Sequence, residues 1–184
     1  MEPSARDATA MIDLLGASGP DDAHAEELML FGRFVGSWDL EVTYFDHAGT
    51  QTSERHGEWH FGWILEGRAI QDVLLGPPLE ERRRAGAPAS EYGTTVRLFD
   101  PANETWQVTW FAPVSRTVVH LVARPDDDGI VLEGTEADGT LDRWTFRDIT
   151  PDSFTWIGCE SKDQGATWPM IERMLVRRRS SPDL

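Results

Sequence analysis

A chain of 184 residues is the size of one ordinary domain and long enough to bury a hydrophobic core. Its 17 Lys and Arg against 32 Asp and Glu leave a net charge of −15, which repels phosphate backbones and anionic bilayers and so argues against nucleic-acid and membrane partners. A single cysteine, Cys159, excludes an intrachain disulfide, and without a basic start followed by an apolar signal core the cytoplasm is the expected compartment.

The first stretch, 1–20, reads as a flexible N-terminal segment whose apolar run Met11-Ile12-Asp13-Leu14-Leu15 suggests no more than a loose helical turn. After Pro20, Asp21 or Asp22 can cap a helix over about 22–34, with Glu26 and Glu27 near its positive end and Leu28, Phe31 and Val35 on one side. Such a helix either plugs one end of the fold or packs on its outside.

Trp38, Leu40, Val42 and Tyr44 then alternate with Asp39, Glu41 and Thr43, the period of a strand with one buried face. Asp46-His47-Ala48-Gly49 supplies turn residues, 51–63 returns as a second strand, and a turn at Glu66-Gly67 leads into a third over 68–75. Gly76-Pro77-Pro78 opens a polar, Arg- and Ala-rich loop through 76–91, long enough for a lid, an unstructured insert or a partner contact. Its Arg82-Arg83-Arg84, like Arg177-Arg178-Arg179, reads as a solvated basic run more readily than as a phosphate site. Further strands are expected at 92–99, 106–112, 116–124, 130–135, 141–148, 153–160 and 168–178, followed by a tail over 180–184. About ten strands at this spacing make the chain mainly β, a single antiparallel up-and-down barrel with a short N-terminal helix over 21–179. The eight tryptophans fall on these strands and not in the loops, so the rings either fill the barrel or wall a cavity.

Gly36-Ser37-Trp38, just after a short helix and opening the first strand, resembles the Gly-x-Trp signature of the calycins, the lipocalin and fatty-acid-binding barrels. GSWDLEV, WILEGRAIQDV, LFDPANETWQVTW, RWTFRDITPDSFTW and DQGATWPMIERM extend the resemblance, over about 30–179, to calycin-like barrels without an assigned function. The resemblance implies an interior cavity, and a Trp38 that closes the barrel base against a basic residue of a late strand, here Arg177 or Arg178. A nitrobindin-like haem barrel would need a His near the C-terminus, whereas the last His of this chain is His120.

Strand parity selects the polar residues that face inward. If Trp59, Phe61 and Trp63 point in with Trp38 and Tyr44, then Arg68, Ile70, Asp72 and Leu74 follow. On later strands Trp144 with Phe146, Phe154 with Trp156, and Trp168 with Met170, Glu172 and Met174 form the inner sets, with Glu160 beside them. Any one bulge inverts such an assignment. His120 belongs to a strand whose two faces are equally apolar, so its direction is open.

The expected function is binding of a small hydrophobic molecule, aromatic or polycyclic, by Tyr44, Trp59, Trp63, Arg68, Trp110, Trp144 and Trp156. A second reading is an isomerase or cyclase without a cofactor, in which Asp72, Glu172 or His120 exchanges the proton, unless a nearby Arg68, Arg143 or Arg173 merely holds a carboxylate in an ion pair. A third is a filled barrel that engages another protein, and a homodimer is left open. No metal is expected: His56, Glu58 and His60 share a strand face, but alternate residues lie roughly 6.5–7 Å apart, too far for easy chelation, and that face is the outer one. Gly16-Ala17-Ser18-Gly19-Pro20 breaks the nucleophile-elbow pattern, and no phosphate-binding Gly-rich loop or dinucleotide fingerprint occurs, so no cofactor is expected.

Overall fold

Alternating apolar and polar side chains dictate strands that turn one face inward, and ten such strands are long enough to close on themselves. The structure, a computed structural model, describes residues 5–86, 88–127 and 129–180. Residues 1–4 of the expected N-terminal segment and 181–184 of the expected tail lie outside this description. Helix α1 (Ala5–Leu15) leads into a two-residue strand, β1 (Gly16–Ala17), which pairs with Trp63 and Ile64. A 3₁₀ turn at Asp22–His24, capped by Asp21, precedes helix α2 (Ala25–Gly32).

The barrel strands are β2 (Gly36–Phe45), β3 (Gln51–Ile64), β4 (Ala69–Gly76), β5 (Glu91–Asp100), β6 (Thr105–Ala112), β7 (Thr117–Asp126), β8 (Gly129–Thr135), β9 (Leu141–Arg147), β10 (Ser153–Ser161) and β11 (Met170–Arg178). Each pairs antiparallel with the next, and β11 pairs with β2, so the meander is a closed barrel without a free edge. Between β4 and β5 the expected loop carries a short helix, α3 (Leu79–Ala85), whose first amide donates to Glu58 at 3.1 Å. Among the described residues no helix is long and apolar enough to cross a membrane.

Helix α2 is a plug. Leu28, Phe31 and Phe34 are buried. Phe31 meets the rings of Trp106 and Phe146 at centroid distances of 5.0 and 5.8 Å, and Phe34 packs on Phe61 and Phe154 at 5.9 and 4.7 Å. Trp38 seals the same end. Its indole N–H donates to the Phe34 carbonyl at 2.7 Å, and the Arg178 guanidinium lies 4.0 Å from its ring centre. Arg178 also donates to the carbonyls of Arg33, Val35 and Pro151, tying β11 to the chain that enters β2. Gly36 has φ +129°, a conformation that favours glycine, and a Cβ there would sit 2.7 Å from the Arg178 Nη1 and push that guanidinium aside.

Two of the parity assignments are overturned. Arg68 is not inside: it lies in the turn before β4, with a side chain 63% exposed, and pairs with Glu66 and Asp21. On β11 a bulge opposite Gly158/Cys159 pairs Gly158 with Glu172 but Cys159 with Met170, skipping Ile171. Glu172 and Met174 stay on the inner face, while Met170 and Trp168 fall out of phase. Trp168 stacks on the Arg143 guanidinium, 3.8 Å from ring centre to Cζ, on the outer face.

Candidate functional site

The plugged end leaves the opposite end of the barrel open. There Tyr44 and Phe45 from the end of β2, Arg55 from β3, Glu91 from the start of β5, Trp110 from β6 and Glu160 from β10 surround a hollow of about 580 Å³. Below it, sharing Glu91 and Trp110, is an inner chamber of about 60 Å³ walled by Trp59, Trp144, Trp156, Arg97, Glu172 and Met174. Trp144 and Trp156 meet edge to face at 5.5 Å. The indoles therefore enclose space as well as fill it.

Beneath the chamber lies a buried ion pair. Asp72 and Arg97, both almost fully buried, bond to each other, and Asp72 also accepts the Thr95 amide at 3.2 Å. Arg97 lies over the rings of Phe31 and Phe61 at 5.1 and 5.3 Å, which places it between the plug and the chamber. Of the expected acid or base groups, Asp72 is thus neutralised by a cation, though not by Arg68, Arg143 or Arg173. His120 is on the outer face: it is exposed, Val119 and Leu121 are buried on either side of it, and its ring pairs with the Thr109 hydroxyl at 3.1 Å. Only Glu172 of the three lines the cavity.

Glu172 has no ion pair among the described residues, and its Oε1 is buried without a hydrogen-bond partner. Burial, reinforced by the charge of Glu91, pushes its carboxyl up to about 8. Glu91 accepts the Tyr44 hydroxyl at 2.8 Å, and burial raises its carboxyl too. Tyr44 is held protonated by burial and by the two carboxylates, with Arg55 across its ring at 5.4 Å. Two further polar atoms in the chamber walls, Trp59 Nε1 and Arg97 Nε, are buried and unpartnered.

At the rim, Asp142 and Glu160 face each other across β9 and β10, and with Glu136 they bring carboxylate oxygens within 4.8 Å of one another. Burial and the neighbouring Glu136 and Glu160 raise Asp142 to about 7. Such an all-oxygen set is of the kind that suits a hard divalent cation. The set His56, Glu58 and His60 is spent elsewhere: Glu58 accepts from Leu79, His60 and Arg179 on the outer face.

Tyr44, Trp59, Trp110, Trp144 and Trp156 therefore border two adjoining spaces that share Glu91 and Trp110 as walls. Trp63 does not reach it; buried, it packs against Gly32 of α2 at the plugged end. Glu91, Thr95 and Arg97 are site residues that sequence reasoning passed over. The signal was the hairpin register, since Trp106, Val108 and Trp110 pair with Phe99, Arg97 and Thr95. A separate hollow of about 590 Å³ lies on the outer face over β4–β7, against Val73, Phe111 and Val118, with no carboxylate or histidine in its walls.

No protein-family model matches the chain, and no curated protein matches it. Among solved structures, the S-type phycobiliprotein lyase from Guillardia theta is similar to it, with a TM-score of 0.56 at 14% identity over 84% of this chain and 93% of the lyase. At that identity the likeness is one of fold, and it accords with the closed ten-stranded barrel: the architecture is calycin-like.

Proposed function

We propose that the protein binds a small hydrophobic molecule, aromatic or polycyclic, at the open end of the barrel, as a cytoplasmic binding protein. The observation that carries this reading is the adjacency of two spaces: a hollow of about 580 Å³ shares Glu91 and Trp110 with a chamber walled by indoles. A volume of that order lies within the roughly 300–1,000 Å³ typical of small-molecule sites. The chamber alone admits about two waters at ~30 Å³ each, so the body of a guest rests against Tyr44, Phe45 and Trp110 with one edge reaching Trp144 and Trp156. That a phycobiliprotein lyase is built on the same kind of barrel fits this use of the fold. Titration of Trp fluorescence with a panel of polycyclic aromatics tests it. A saturable response at one guest per chain is expected, and a flat response across the panel would remove the reading.

One observation favours a second reading, proton-transfer catalysis in the same cavity. Glu172, with a carboxyl raised to about 8, is half-poised near neutral pH, as a general acid or base must be. Chromatographic and nuclear magnetic resonance analysis of products after incubation with isomerisable guests tests it: conversion should vanish in Glu172→Gln, and equal conversion in the variant would exclude Glu172 from the step.

A further inference from the structure

The polar groups around the cavity do not suit a purely apolar guest, and not all of them are partnered. Arg97 is matched by Asp72. Arg55 lies over Tyr44 and offsets Glu91, whose second oxygen holds the Tyr44 hydroxyl. On the rim Glu160 has His47 at 3.6 Å, with Lys162 beside that ring at 3.0 Å. Glu172 has none of these: it projects from β11 into the chamber, beneath the neck formed by Glu91 and Trp110, with no cation among the described residues and with a buried oxygen unpaired. A second unpaired buried oxygen, Asp142 Oδ2, lies on the adjoining inner face of β9. A carboxylate away from water is costly, so such a group holds its proton until a partner of opposite charge arrives. Beside them stand Trp110, Trp144 and Trp156, and indole is the strongest aromatic partner for a cation.

We infer that the guest is an organic cation, an arylalkyl amine whose ammonium group bonds to Glu172 among these indoles. The inference rests on the cavity-binding reading and narrows it. A protonated amine supplies both the donors and the opposite charge that Glu172 lacks. It also satisfies the indoles in a way that a neutral hydrocarbon does not. The deeper donors, Trp59 Nε1 and Arg97 Nε, need an oxygen, and the chamber has room for a water there.

Calorimetric titration at physiological salt with three naphthalenes of one skeleton decides it: naphthylmethylamine, naphthylmethanol and naphthylacetate. The amine should bind about 10-fold or more tighter than the alcohol, the difference between a charge-assisted and a neutral hydrogen bond, and the carboxylate should bind most weakly. Glu172→Gln should bring the amine-to-alcohol ratio close to unity, which separates a specific contact from general attraction to an acidic surface. An alcohol that binds as tightly as the amine, or a ratio unchanged in the variant, overturns the cation while leaving the cavity reading intact. A carboxylate that binds best overturns it in favour of Arg97. Absence of heat from all three overturns the aromatic-guest reading together with this one.

Discussion

Replacing Glu172 with glutamine should make the protein more stable in alkali than the natural chain. The folded barrel raises this carboxyl from 4.5 to about 8, through burial and then the Glu91 charge, so the folded state holds the proton more tightly than the unfolded state does. Below about pH 4.5 both states are protonated and the group exerts no differential effect. As pH rises toward 8 the unfolded chain ionises freely while the folded one cannot, and stability falls until the folded carboxyl also ionises. At ~1.4 kcal/mol per pH unit the whole shift corresponds to at most about 5 kcal/mol. Residual solvent in the chamber reduces this to on the order of 2–4 kcal/mol. Glutamine carries no such penalty, and the repulsion from Glu91, already counted in that shift, goes with it. Urea unfolding of both proteins at pH 5 and pH 9 reads the effect as a double difference, in which titrating groups that do not interact with Glu172 cancel. The gap should widen in favour of the variant by about 2–4 kcal/mol. A gap that stays constant within about 0.5 kcal/mol would show that Glu172 is solvated and that the chamber is not the desolvated site described above.

Asp72→Asn leaves the Arg97 guanidinium buried without its carboxylate, and should cost about 3–5 kcal/mol in urea unfolding; a loss under about 1 kcal/mol would mean that water reaches Arg97. Phe31→Ala empties the plug against Trp106 and Phe146 and should cost about 3–5 kcal/mol, with a weakened near-ultraviolet circular dichroism signal from the rings it touched. Gly36→Ala places a methyl group 2.7 Å from Arg178 at a φ of +129°, and thermal unfolding should show a loss of about 1–3 kcal/mol. An unchanged midpoint would argue that Arg178 moves off Trp38 without cost.

The barrel was legible because each strand combines alternation with turn residues at both ends. The expected strand at 141–148 and the observed Leu141–Arg147 differ by one residue, and the Asp46 turn, where one carboxylate oxygen accepts the amides of Ala48 and Thr50, is local chemistry. Less of the site could be read. On β5 the usual hydrophobic signal is inverted: Tyr92 and Leu98 are exposed, while Glu91, Thr95 and Arg97 turn toward the cavity, so apolarity points to the wrong face. The β11 bulge leaves no mark in composition, and the phase of Trp168 depends on the single skipped residue Ile171. For α2, the stripe of Leu28 and Phe31 announces a buried face but not what covers it. That the helix enters the barrel end follows from long-range packing alone. Conversely, the outward direction of His120 was available from register, since it pairs with Thr109 while Val119 pairs with the inward Trp110.

The central claim is that the space bordered by Trp59, Trp110, Trp144 and Trp156 admits a guest. Nuclear magnetic resonance of the indole N–H groups during titration with naphthylmethylamine tests it most directly. The signals of these four rings should shift together and saturate, while those of Trp38 and Trp106, sealed at the plugged end, stay in place. Shifts confined to the outward Trp168, or no shift at all, would contradict the account.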